Sequence, residues 1–149
     1  MRWTPLLCLV VLSACAIPRW PVEGAISSPF GLRLRGWWPE IHHGVDIPLE
    51  TGTPVRAMAP GRVYEAGQLR GYGLAVVIDH GRGIYSVYAH LSEVAVSRGE
   101  EVQGQQVIGR SGASGDVTGP HLHFEIWRSG QPEDPVAFLG GPPKPAGGS

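Results

Sequence analysis

Cysteine is absent beyond Cys15, so the domain that follows has no disulfide and no thiolate to offer a metal. Charge of one sign is missing too: 12 Lys and Arg stand against 13 Asp and Glu, for a net charge of −1. That balance excludes the basic stripe of a nucleic-acid binder. The apolar run Leu6–Leu12 is far shorter than the ~20 residues a membrane-spanning helix needs. No segment after Cys15 keeps a helical period, and no internal repeat or second domain is evident. At 149 residues there is room for one domain with a real core.

The N-terminus reads as a targeting segment. Arg2 supplies a short positive region and Leu6–Leu12 fits a signal-peptide core. The string Leu12-Ser13-Ala14-Cys15 resembles a bacterial lipobox, which implies a signal peptide over 1–14 and a lipid on Cys15. Ala16 follows where an Asp would suggest inner-membrane retention, so the resemblance favours the outer membrane. Residues 15–23 are then the lipidated Cys and a short tether; its eight residues Ala16–Glu23 reach at most roughly 26–29 Å. Residues 24–139 form the domain, and 140–149 (GGPPKPAGGS), with no apolar pattern, are expected to be a disordered tail.

What the chain does have is 22 glycines and 14 prolines, spread between short apolar runs as turn residues of a β-rich domain. Arg62–Ala66, Leu74–Asp79, Ile84–His90 and Leu122–Arg128 are rich in Val, Ile, Tyr and Phe and predict strands. His80–Gly83 joins two of them at hairpin length, and the glycine spacing over Val96–Gly109 fits short strands better than a helix. The expected class is all-β with antiparallel hairpins.

Chemistry concentrates in three runs: HHGVD (His42–Asp46), YAH (Tyr88–His90) and GPHLHFE (Gly119–Glu125). His, His and Asp make a ligand set that suits zinc and leaves a fourth tetrahedral position free. In an extended chain, neighbours point to opposite faces. His42 and Asp46 then share a face and His43 opposes them, with Gly44 leaving open space for an ion. His121, His123 and Glu125 share a face as well, and Leu122, Phe124 and Ile126 turn to the core. His80, in its turn, reads as solvated. Trp37 and Trp38 could wall a substrate groove or pack over the sheet. Arg33 and Arg35 could meet substrate carboxylates, at least one of them being simply solvated. Asp116 could shape the mouth of a site or cap a turn.

From about Ser27 to Pro135 the chain resembles the lysostaphin-like (LytM-type) zinc endopeptidases of bacterial peptidoglycan. The likeness rests on SPFGLR, HHGVDI, GTPVRA with GRV, YGLAVVIDHG, YAHLS, GEEVQGQQVIG, SGASG and TGPHLHFE. It implies a compact antiparallel β-sheet domain with an open groove and zinc at its floor. It also implies that His42, Asp46 and His123 bind the zinc, with His90 and His121 beside it as catalytic histidines. The implied reaction is hydrolysis of peptide bonds in peptidoglycan stem or bridge peptides, with the D-alanyl–diaminopimelate cross-link as the natural Gram-negative substrate. Relatives that keep the fold but lose the ligands activate cell-wall amidases. A non-catalytic wall-binding or activating module is therefore the alternative, although every ligand position is filled here. A two-carboxylate glycosidase built on Asp46 and Glu125 would leave the histidines unexplained. With no covering segment evident in the sequence, control by a partner protein, by expression or by the short tether is expected.

Overall fold

The computed structural model describes residues 17–147. The expected signal segment and the lipid-bearing Cys15 lie outside the described residues. Eleven strands and one helical turn follow in order: β1 (Gly31–Arg35), β2 (Trp38–His42), β3 (Gly44–Pro48), β4 (Pro54–Arg56), β5 (Gly61–Leu69), β6 (Gly73–Asp79), β7 (Ile84–Val94), β8 (Glu101–Val102), β9 (Val107–Ser111), β10 (His121–Arg128), β11 (Gln131–Glu133) and α1 (Pro135–Phe138). All pairings are antiparallel. The chain is all-β, as its strand pattern predicts.

β1 and β2 form a separate two-stranded sheet, and the other nine strands make one sheet. β10 lies at its centre, pairing with β7 along one edge and with β3 and β11 along the other. The alternation read in β10 explains this position. Leu122, Phe124 and Ile126 are fully buried and pack into the core with Val45, Ile47, Ile78 and Tyr88. The opposite face is left free for His121, His123 and Glu125.

Three expectations need correction. His80 is not solvated. Its Nδ1 donates to the Pro60 carbonyl (2.8 Å), and its Nε2 meets Ser86 Oγ (2.7 Å). Ser86 in turn bonds the Tyr88 hydroxyl, which accepts the Met58 N–H. This chain of bonds satisfies a hydroxyl at the centre of the core, and burial holds the His80 pKa low despite the Pro60 bond.

The expected tether and tail are partly docked, through backbone and ring contacts to the domain and to each other. Arg19 N–H donates to Met58, Trp20 Nε1 donates to the Gly141 carbonyl, and Gly24 N–H donates to Lys144. The Trp20 ring packs on Phe124 at 5.9 Å between centroids. Trp37 and Trp38, finally, do not pack over the sheet; at the tip of the β1–β2 hairpin they are 95% and 79% exposed.

Candidate metal and catalytic centre

Strand pairing assembles the site. In the β3–β10 ladder Asp46 lies directly opposite His123, and Asp46 Oδ1 sits 2.8 Å from His123 Nδ1. β2 delivers His42 from the side, its Nε2 lying 3.2 Å from both of those atoms. Among the described residues these three side chains form the one His/Asp group with converging ligand atoms. Tetrahedral zinc, with ligands at about 2.0–2.2 Å, would hold such atoms roughly 3.3 Å apart. The observed triangle needs to open by only a few tenths of an ångström, and two imidazoles with one carboxylate suit that ion. The residues fit the metal.

His90 and His121 stand beside this triangle. Their rings are 4.9 Å apart, and His90 is 5.8 Å from the ring of His123. His121 Nε2 lies 3.7 Å from Asp46 Oδ1. His90 closes the β7–β10 pairing just after Ala89, with φ of +62°. That left-handed backbone is uncommon for a residue with a Cβ and is found disproportionately at functional sites. Register shifts in the β6–β7 and β7–β9 ladders flank it and turn its side chain toward the triangle.

Hydrogen bonds to carbonyls fix the tautomers. A carbonyl only accepts, so a ring nitrogen facing one must carry the proton. His42 Nδ1 donates to Pro29 (2.8 Å), His90 Nδ1 to Ser114 (2.9 Å) and His121 Nδ1 to Gly119 (2.9 Å). When these rings are neutral, all three Nε2 atoms bear lone pairs. For His42 that places a ligand lone pair at the triangle; for His90 and His121 it leaves a proton acceptor.

Burial pushes the His90 pKa down, and the charges of His121 and His123 lower it further, outweighing the bond to Ser114. At Asp46, burial alone would raise the pKa, but the His123 and His42 ring nitrogens beside it hold the carboxyl far below the usual carboxylate range. His123 is desolvated too, yet its bonds to Asp46 and Glu125 raise it to about 9.

Several partners were not legible as such in the sequence. Arg33 donates to Asp46 Oδ2 (3.1 Å), Ser28 Oγ (2.8 Å) and Glu40 (3.3 Å), so it braces the second oxygen of Asp46. Arg35 stays mostly exposed and lies 3.6 Å from Asp116, across the mouth of the groove. Tyr72 comes from the β5–β6 turn and donates to Glu125 (3.0 Å). His43 is outside the cluster, edge-on to Trp127, as the strand alternation predicts.

Gly44 makes no room for an ion. A Cβ there would collide with the Phe124 carbonyl oxygen and come within 2.9 Å of Glu125 Cγ, so its role is close strand contact. Both Glu125 oxygens are already bonded, to His123, Tyr72 and Trp127, so Glu125 offers no free oxygen for glycosidase chemistry.

The cluster opens into a groove of about 700 Å³ lined by Ser28, Arg33, Tyr72, Asp116 and Thr118 besides the histidines. A larger hollow of about 1170 Å³ lies between residues 18–23 and 139–146, and its lining includes no histidine. The chemistry therefore belongs to the smaller groove.

Comparison with known proteins agrees with this geometry. The family model described as Peptidase family M23 matches residues 40–135. The chain is 47% identical over 116 residues to the DD-carboxypeptidase/endopeptidase Mpg of Neisseria meningitidis serogroup B, covering 75% of this chain and 26% of that protein. It is 41% identical over 124 residues to the murein hydrolase activator EnvC of Escherichia coli, covering 81% and 28%. It thus spans about a quarter of the length of these curated relatives. The catalytic domain of lysostaphin from Staphylococcus simulans superposes with a TM-score of 0.66 at 35% identity, covering 78% of this chain and 90% of that domain. A match running from the strand that carries His42 past the one that carries His123, together with that shared fold, means the chain belongs to peptidase family M23.

Proposed function

We propose that this chain is a zinc-dependent endopeptidase that hydrolyses peptide cross-links of bacterial peptidoglycan, with the D-alanyl–diaminopimelate bond as its first candidate. The observation that carries this reading is the pairing of a His42–Asp46–His123 triangle with two further histidines whose Nε2 lone pairs are free. In this reading His42, Asp46 and His123 hold the zinc. When bound, zinc lowers the pKa of coordinated water toward ~7 and polarises a carbonyl.

The chain's own residues then move the protons. One of His90 and His121 takes a proton from the attacking water at Nε2, His121 being the better placed beside Asp46. The other, when its Nε2 is also protonated, donates a hydrogen bond to the oxygen on which charge develops, or that proton to the leaving amine. The lowered pKa of His90 makes a proton carried on its Nε2 easy to release. Arg33, by holding Asp46 Oδ2, keeps Oδ1 turned to the triangle.

A cell-envelope setting, with a lipid on Cys15 as anchor, is part of the proposal and is supported by the lipobox-like string and by the names of the relatives. The second reading, an activator of other wall hydrolases, is favoured by the likeness to EnvC.

The test is to mix zinc-loaded protein with cross-linked muropeptides of defined chemistry and follow products by mass spectrometry, with His123→Ala as control. Cleavage by the wild type alone supports the endopeptidase and identifies the bond. Intact cross-links of every type, despite stoichiometric zinc, would refute it in favour of the activator.

A further inference from the structure

Glu125 is a carboxylate in the wrong place for a bystander. Its side chain is only 3% exposed, and among the described residues its partners are three ring-borne donors and no Lys or Arg. His123 Nε2 lies 2.8 Å and the Tyr72 hydroxyl 3.0 Å from Oε1, and Trp127 Nε1 lies 2.6 Å from Oε2. Indole N–H only donates, and an ionised carboxylate only accepts, so the Trp127 bond fixes how Glu125 is used. His123 has an acceptor oxygen 2.8 Å from each ring nitrogen, Glu125 Oε1 at Nε2 and Asp46 Oδ1 at Nδ1, so without metal the ring suits a proton on both. With Nδ1, the atom that faces Asp46 and His42, given to the metal, the one remaining proton stays on Nε2 against Glu125. This tautomer is opposite to that of His42, His90 and His121, each of which is protonated at Nδ1 by a carbonyl contact.

We infer that Glu125 is a positioning residue that selects the Nδ1-liganding tautomer of His123, and that Trp127 and Tyr72 lock its carboxylate in that role. The inference rests on the zinc reading above. Metal-bound histidines whose second nitrogen donates to a carboxylate are oriented by it, and losing that partner typically weakens metal binding about 10–100-fold.

The donor count makes the lock directional. A glutamine at 125 has one acceptor oxygen and one NH2 group. If its oxygen faces His123 and Tyr72, the NH2 meets the Trp127 N–H, donor against donor. If it flips to satisfy Trp127, the NH2 meets His123 and favours the wrong tautomer. Removing the indole N–H should relieve that conflict.

The experiment measures zinc affinity by competition with a chromogenic chelator for wild type, Glu125→Gln, Trp127→Phe and the double variant, each checked for folding by amide NMR spectra. Long-range 1H–15N spectra of the imidazoles read the tautomer of His123 in the zinc-loaded wild type. The expected results are about 10–100-fold weaker binding for Glu125→Gln, a milder loss for Trp127→Phe, and partial recovery in Glu125→Gln/Trp127→Phe. The wild type should show Nε2–H on His123.

Unchanged affinity in folded Glu125→Gln, or no recovery in the double variant, would overturn the inference. A proton on Nδ1 of His123 in the zinc-loaded wild type would overturn it without any variant. Failure of the wild type to bind zinc would instead overturn the zinc reading itself, so the two failures are distinguishable.

Discussion

Replacing Gly44 by Ala tests how tightly the site is tied to the sheet. The added Cβ would fall inside the contact distance of the Phe124 carbonyl oxygen and 2.9 Å from Glu125 Cγ, where ordinary contacts begin at 3.4 Å. The obstructing oxygen is backbone in the central strand and cannot swing aside. β3 and β10 must therefore separate locally, by on the order of 1 Å, and overpacking of this kind costs about 1–3 kcal/mol. Asp46 is two residues from the intrusion and His123 is its direct cross-strand partner, so their 2.8 Å contact opens with the strands. A displacement of about 1 Å near reacting groups can cost ~100-fold in rate. The variant should unfold at lower urea, by roughly 1 M for a typical slope, and lose about two orders of magnitude in cross-link hydrolysis. Urea titration by tryptophan fluorescence and the muropeptide assay read the two effects. A variant with wild-type stability and rate would show that the glycine is not there for strand contact and would sink the reasoning.

His123→Ala should lose both zinc and activity. His90→Ala should keep zinc, measured by metal analysis after gel filtration, and lose activity; a fully active His90→Ala would remove His90 from the mechanism. Stripping the metal with chelator should make stability depend on pH through the Asp46–His123 pair. The raised pKa of His123, about 9, gives stabilisation that is complete below pH 6.5 and lost as the pH climbs through 9. The depressed pKa of Asp46 describes the same contact from the acid side, present above about pH 4 and lost as the pH falls further. The chelated protein's urea midpoint should therefore fall between pH 6.5 and 9, and an unchanged midpoint would contradict the pairing. Tyr88→Phe should destabilise the domain by about 1–3 kcal/mol, because it orphans the buried Met58 N–H; an unaltered melting temperature would argue against the buried chain of bonds.

What could be read from the sequence was whatever strand alternation or fixed spacing encodes. β10 is the clearest case: apolar and polar residues alternate from His121 to Ile126, so both the buried face and the histidine face are legible. His42 and Asp46, four apart around a glycine, are legible as a pair for the same reason, although the glycine's purpose was not, since it depends on a strand some 80 residues away. Tyr72 gave no signal, because it sits in a turn and reaches Glu125 only when β5 and β6 fold against the rest of the sheet. His80 looked solvated because a hairpin position says nothing about Pro60 or Ser86. The chain ends looked loose because prolines and glycines suppress local order without preventing docking, which Trp20 achieves by covering Phe124.

The ligand triangle also has an assembly history. Asp46 and His123 are separated by 77 positions in the chain, and His42 and His123 by 81. β10 supplies both the middle strand and the last ligand, so the earlier strands can collapse among themselves without completing the triangle. Long-range pairing of this kind forms late and slowly. A chain still emerging from the ribosome, or crossing a membrane from its N-terminus, would carry His42 and Asp46 but no completed metal site. The triangle would then be complete only once β10 has paired with β3.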